Sequence, residues 1–171
     1  MRFAYYDRLS PAQQRIYRAS DAIESVPIPE GAPLAPLVSR IERALASQRQ
    51  EQVREACQAL SDELCARLRV PPVAVAVLAV RPRLRDGDLY GLYEPGARGA
   101  SARVSLWMRT ARHGKVVAFR TFLRTLVHEF CHHLDYEHFR LPETFHTEGF
   151  YRRESSLMRQ LLPPAPGGTL R

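Results

Sequence analysis

From about residue 118 to 139 the chain places Phe119, Leu123, Val127, Phe130 and Leu134 at intervals of three and four. That period predicts an amphipathic helix whose apolar stripe faces a core. No proline or glycine interrupts the pattern before Leu141-Pro142, where the residue ahead of the proline is pushed out of the helical region. A helix of this length must bury its stripe against other elements, and the rest of the chain has to provide them.

The flanking sequence does so. Ser10-Pro11 pairs an N-cap with a proline at the first helical position and predicts a short helix over 11–20. The proline- and glycine-rich stretch 28–33 breaks the chain, and helices are expected at roughly 34–47 and 50–69. In the second, Val53, Cys57, Leu60, Leu64 and Leu68 form one stripe, which Pro71-Pro72 ends. The apolar run 73–80 is short, rich in valine and bounded by prolines, so it reads as a buried strand. A second strand is expected over 89–93, a loop over 94–101, and a half-buried strand over 103–110, where polar and apolar residues alternate. A last helix over 146–162 leads to a flexible tail, 163–171. Helices, then strands, then helices predict an α+β fold in one domain: a helical region 1–70, a core 71–162 with a small, mostly antiparallel sheet, and the tail.

The chain has 171 residues, 45% of them hydrophobic, and no apolar run of membrane-spanning length. The N-terminus has no apolar signal region, so a cytoplasmic location is expected, with no membrane partner. Cys57, Cys65 and Cys131 give no disulfide pattern and read as buried apolar side chains. The net charge is +7, but the basic residues are dispersed. Arg81, Arg83 and Arg85 make the nearest thing to a stripe and Arg152-Arg153 a small pair. This permits nucleic-acid contact, although a solvated basic surface is the favoured reading.

Five of the six histidines fall between residues 128 and 146. His128-Glu129-Phe130-Cys131-His132 is an HExxH pattern on the predicted long helix. Residues four apart lie one above the other on a helix face, so both imidazoles can reach one ion. The glutamate between them stands where it can take a proton from a water polarised by Zn²⁺. The pattern is a metallopeptidase signature, with Glu129 as general base and His128 and His132 as metal ligands.

An open catalytic site needs a third protein ligand. Three residues are candidates. His138 would complete the metzincin spacing, with Asp135 where that group has the glycine that turns the chain back. His146, beyond the Pro142 break and near the start of the last helix, can be pointed back at the metal if that helix packs on the first. Glu148 would do the same as a carboxylate. His146 is the favoured ligand, since Pro142 rather than Asp135 looks like the helix stop.

His128-Glu129-Phe130-Cys131-His132-His133-Leu134-Asp135, followed by His146-Thr147-Glu148-Gly149-Phe150-Tyr151, resembles the SprT-like zincin metallopeptidases. The resemblance covers roughly 102–162, with His128, Glu129, His132, His146 and Phe150 on the family pattern. Thr147 stands where the family has Gly after the third His, the cysteine cluster of the SprT zinc ribbon is not found in this sequence, and residues 1–70 carry no match. The resemblance implies a zincin-like fold, bound Zn²⁺ and a peptide or protein substrate. It also implies that the strand beside the active helix, here 103–110, holds that substrate by backbone pairing.

Other residues are weighed beside these. His133 lies well around the helix from His132 and reads as a supporting or surface residue. Asp135 could orient a ligand imidazole or face solvent. Tyr136 and Tyr151 are possible oxyanion donors, with packing the favoured role, and Trp107 and Cys131 should be core. Two rival functions stay open: a regulatory or DNA- or partner-binding module with a zincin fold and weak catalysis, and a closed structural zinc site in which His138 or Glu148 adds a fourth ligand.

Overall fold

The structure is a computed structural model that describes residues 3–84, 87–97 and 100–162, with only the backbone described at 83, 84, 87 and 88. The predicted tail 163–171, together with Arg85 and Gly99, lies outside the described residues.

Helix α1 (Pro11–Asp21) opens on a reciprocal cap: the Ser10 hydroxyl accepts the Gln13 N–H at 3.3 Å and the Gln13 side chain accepts the Ser10 N–H at 3.2 Å. Helices α2 (Ala35–Ser47) and α3 (Gln50–Leu68) form an antiparallel pair joined through Gln48, whose φ of 58° reverses the chain. The predicted stripe of α3, from Val53 to Leu68, is buried throughout.

Strand β1 (Ala74–Val80) follows. The two-residue strands β2 (Arg83–Leu84) and β3 (Gly87–Asp88) pair as a separate antiparallel ribbon. Strands β4 (Gly91–Glu94) and β5 (Arg103–Arg109) complete the main sheet in the order β1-β5-β4. The sheet is mixed rather than mostly antiparallel: β1 runs parallel to β5, with Val75 opposite Val104 and Val77 opposite Leu106, and only β4 is antiparallel to it. The chain leaves β1, passes through the β2–β3 ribbon to the far edge, and re-enters between the two strands in the direction of β1. Strand β5 is therefore central, and Val104 to Met108 are all buried. The alternation that predicted a half-buried strand marks two covered faces instead.

Helix α4 (Phe119–Glu137) lies across the core-facing side of β4 and β5 and buries Phe122, Leu123, Leu126, Val127, Phe130 and Leu134. Helix α5 (Glu148–Leu161) packs along α4 through Phe150, Leu157 and Leu161. The three cysteines are free and buried, as expected. Among the described residues no helix is long and apolar enough to cross a membrane.

Candidate metal centre

Three imidazoles converge between α4 and the start of α5. His128 and His132 project from α4 one turn apart. His146 sits just ahead of Thr147, whose hydroxyl caps α5 by accepting the Phe150 N–H at 2.9 Å. The Nε2 atom of His146 is 3.0 Å from Nε2 of His128 and 3.1 Å from Nε2 of His132. All three ligand atoms lie within 4.8 Å of one another.

The far side of two rings fixes their tautomers. Nδ1 of His128 is 2.9 Å from a carboxylate oxygen of Glu154, which can only accept, so that nitrogen carries the hydrogen. Nδ1 of His132 is 2.7 Å from the Thr144 hydroxyl, and that hydroxyl donates onward to Asp135 at 2.8 Å. His132 is therefore the donor to Thr144. Both rings turn bare Nε2 lone pairs inward, toward His146. Two bare lone pairs facing a third ring nitrogen at 3.0 and 3.1 Å are satisfied by a hydrogen on His146 Nε2 or by a cation among the three rings. Nitrogen ligands at about 2.0–2.1 Å from one tetrahedral ion are separated by about 3.3 Å, close to the spacing found. The donor set thus could hold a metal ion, and three imidazole nitrogens are donors that zinc accepts.

The other ligand candidates lie elsewhere. Helix α4 runs straight through Asp135, and His138 is exposed at its C-cap. Glu148 pairs with Arg152 at 2.9 Å.

A buried frame holds the ligands. Glu154 takes His128 with one oxygen and Arg124 with the other, at 2.9 Å each. Burial pushes the Asp135 carboxyl upward, but the Arg153 guanidinium, 2.8 Å away and equally buried, pairs with the ionised form. Arg153 also donates to the carbonyls of Ser20 and Ile23 at 2.6 Å each. The same end of α1 supports the His146 segment: Asp21 accepts the Gly149 N–H at 3.0 Å, and a Cβ on Gly149 would stand 2.3 Å from the Asp21 carbonyl oxygen. In front of it, the Tyr5 hydroxyl donates to the His146 carbonyl at 2.8 Å. The N-terminal region, silent in the sequence, is the support of the third histidine.

Glu129 reaches toward β4 and lines the same cleft as the three histidines. It is 6% exposed, and burial raises its carboxyl to about 7, against the opposing pull of His128 and of a hydrogen bond with the Tyr93 backbone. A Cβ on Gly91 would lie 2.5 Å from the Glu129 carboxylate, so a side chain at this position would have to push Glu129 aside or lift the strand. Burial, with His146, His128 and Arg153 nearby, holds His132 down at about 3, so its ring is neutral near pH 7.

The cleft in front of the histidines encloses about 570 Å³ and is walled by β4 on one side, with Arg124 and Tyr136 of α4 along it. The edge strand available to an extended partner is β4. The strand predicted for that role, 103–110, is β5, whose two edges are already paired.

Several single residues settle as well. His133 is fully buried; its Nε2 donates to the Pro71 carbonyl at 2.8 Å and its Nδ1 accepts the Tyr93 hydroxyl at 3.2 Å, which ties β4 to α4. Tyr136 lines the cleft, while Tyr151 stacks on His146 with ring centroids 5.9 Å apart. Trp107 and Cys131 are buried. Arg153, read from sequence as half of a surface pair, is a core residue. Glu154, Thr144 and Gly91 escaped the sequence reading. Arg153 and Glu154 do fall in phase with Phe150, Leu157 and Leu161, a signal that they face inward.

No family model matches the chain, and no similar curated protein or solved structure is found.

Proposed function

We propose that the protein is a zinc-dependent metallopeptidase of SprT-like, zincin-like type, with His128, His132 and His146 holding the ion and Glu129 as general base. The convergence of three Nε2 atoms, two of them stripped of hydrogen by Glu154 and Thr144, carries this reading. Zinc, when bound, supplies Lewis acidity toward the attacking water and the scissile carbonyl.

The chain's own residues do the rest. Glu129, buried and raised to about 7, is matched to taking a proton from water near neutral pH and returning it to the leaving amine. Glu154 and the Thr144–Asp135 relay hold the His128 and His132 rings in the tautomer and orientation that present Nε2. The edge of β4 offers backbone groups to an extended peptide, so recognition by strand addition fits the cleft. Three converging ligands leave a coordination position free, which favours catalysis over a closed structural site.

The test is digestion of an unfolded protein by zinc-loaded wild type and Glu129→Gln. Cleavage by the first, with loss of at least about a hundredfold in the second at equal zinc content, is expected from loss of a general base. Equal cleavage by both would remove Glu129 from the mechanism.

A further inference from the structure

The cleft does not end at the histidines. Beside the Tyr90 end of β4 it adjoins a second cavity of about 650 Å³, and Tyr90 and Thr121 line both spaces. Arg81, Arg112 and Lys115 line the second cavity, and no carboxylate is among its described lining residues.

The cations are set by the fold. Arg81, only 7% exposed, sits at the end of β1, where its N–H bonds the Arg109 carbonyl, and its guanidinium lies 4.0 Å over the Tyr90 ring. Arg112 and Lys115 stand on a tight turn closed by the Thr110 N–H on the Lys115 carbonyl at 2.9 Å and by Gly114, with a φ of 59°. Neither Arg112 nor Lys115 forms an ion pair among the described residues, whereas Arg124, in the main cleft, is committed to Glu154. A concave space with two cations, Arg112 and Lys115, that pair with no carboxylate among the described residues, and with an aromatic rim, is built for an anionic group.

Its place along the cleft gives the scale. Thr121 and His128 are seven residues apart on α4, which is about 10 Å of helix axis. An extended peptide covers that in about three residues at about 3.3 Å each. We propose that this cavity is a substrate subsite for the carboxylate side chain of an acidic residue about three positions from the bond to be cut. The proposal rests on the metallopeptidase reading and adds a substrate class to it: peptides with an acidic residue displaced from the scissile bond. Peptide is favoured over nucleic acid because the basic groups gather in a pocket at the end of the strand edge, while the remaining arginines are scattered.

The experiment uses two pools of fluorescein-labelled decapeptides, randomised at the centre and carrying either Glu or Gln about three residues to each side. Binding is followed by anisotropy on zinc-loaded Glu129→Gln, and cleavage on the wild type. The Glu pool should bind about tenfold tighter at low ionic strength, with the preference shrinking as salt screens exposed charge. The preference should vanish when Arg112→Glu and Lys115→Glu are added. Equal affinity for the two pools, or a preference unchanged by the charge reversals, overturns the subsite; cleavage of both pools alike would still leave the peptidase reading standing. If neither pool is bound or cut, both fall together. A labelled single-stranded oligonucleotide that binds, weakens with the charge reversals and meets no Glu-over-Gln preference assigns the cavity to nucleic acid and overturns the proposal.

Discussion

Glu154 takes the Nδ1 hydrogen of His128 at 2.9 Å across the contact between α5 and α4. The carboxylate fixes which nitrogen of the ring is free, and Arg124 steadies it from the solvent side. Glu154→Ala should weaken zinc binding by about 10–100-fold, and Glu154→Gln by less, since an amide oxygen can still accept. Competition with a fluorescent chelator measures this; an affinity equal to wild type in Glu154→Ala would show that His128 needs no such partner.

The close passage of β4 over Glu129 leads to a prediction about Gly91. A methyl group there meets the Glu129 carboxylate, the proposed general base, at 2.5 Å and the Thr125 methyl at 2.8 Å, so Gly91→Ala must displace that side chain or the strand. Zinc content should stay at the wild-type level while peptide cleavage falls by about 10–100-fold, the size of effect expected for a displaced general base. Zinc titration and cleavage rates on the same preparations separate the two. Unimpaired cleavage would mean that the base does not work from beneath β4.

Glu129 also sets a pH dependence of stability. Its folded carboxyl is raised to about 7 from an ordinary 4.5, so the folded zinc-free protein holds this proton more tightly than the unfolded chain. The stabilisation is fully present below the unfolded value and is lost as pH rises through about 7. The shift corresponds to at most roughly 3 kcal/mol. Zinc-free Glu129→Gln should therefore unfold at a higher temperature than wild type at pH 8 and close to it at pH 4. Parallel melting curves for the two proteins across that range would contradict the burial of a strained carboxylate.

Much of this was legible in the sequence. The period of 53–68 and of 119–134, the cap at Ser10 and the proline stops place the helices to within a few residues of their observed ends, because each rests on local chemistry. His128, Glu129 and His132 were readable for the same reason: one helix turn sets their geometry. His146 required only that α5 pack on α4. What was not readable is non-local. Nothing in 103–109 announces that two strands flank it, so its alternation looked like that of a half-buried strand. Gly91 matters only because Glu129 lies beneath it, and Thr144 only because it spans His132 and Asp135. Arg153 looks like surface charge until α1 and Asp135 are placed around it.

That buried arginine supports the fourth prediction. Arg153→Met leaves the Asp135 carboxylate buried without its partner and removes donors from the Ser20 and Ile23 carbonyls. The loss should be about 3–5 kcal/mol, and Asp135→Asn in the same chain should recover part of it. Urea unfolding reads both; a loss near zero for Arg153→Met would make the pair dispensable.

Zinc content per chain, measured by elemental analysis on wild type, His146→Ala and His138→Ala purified without chelators, tests the three-histidine centre most directly. The expected result is about one zinc per wild-type chain, retained in His138→Ala and lost in His146→Ala. A wild-type protein that takes no zinc when it is supplied, or a site that survives loss of His146 and fails on loss of His138, would contradict it.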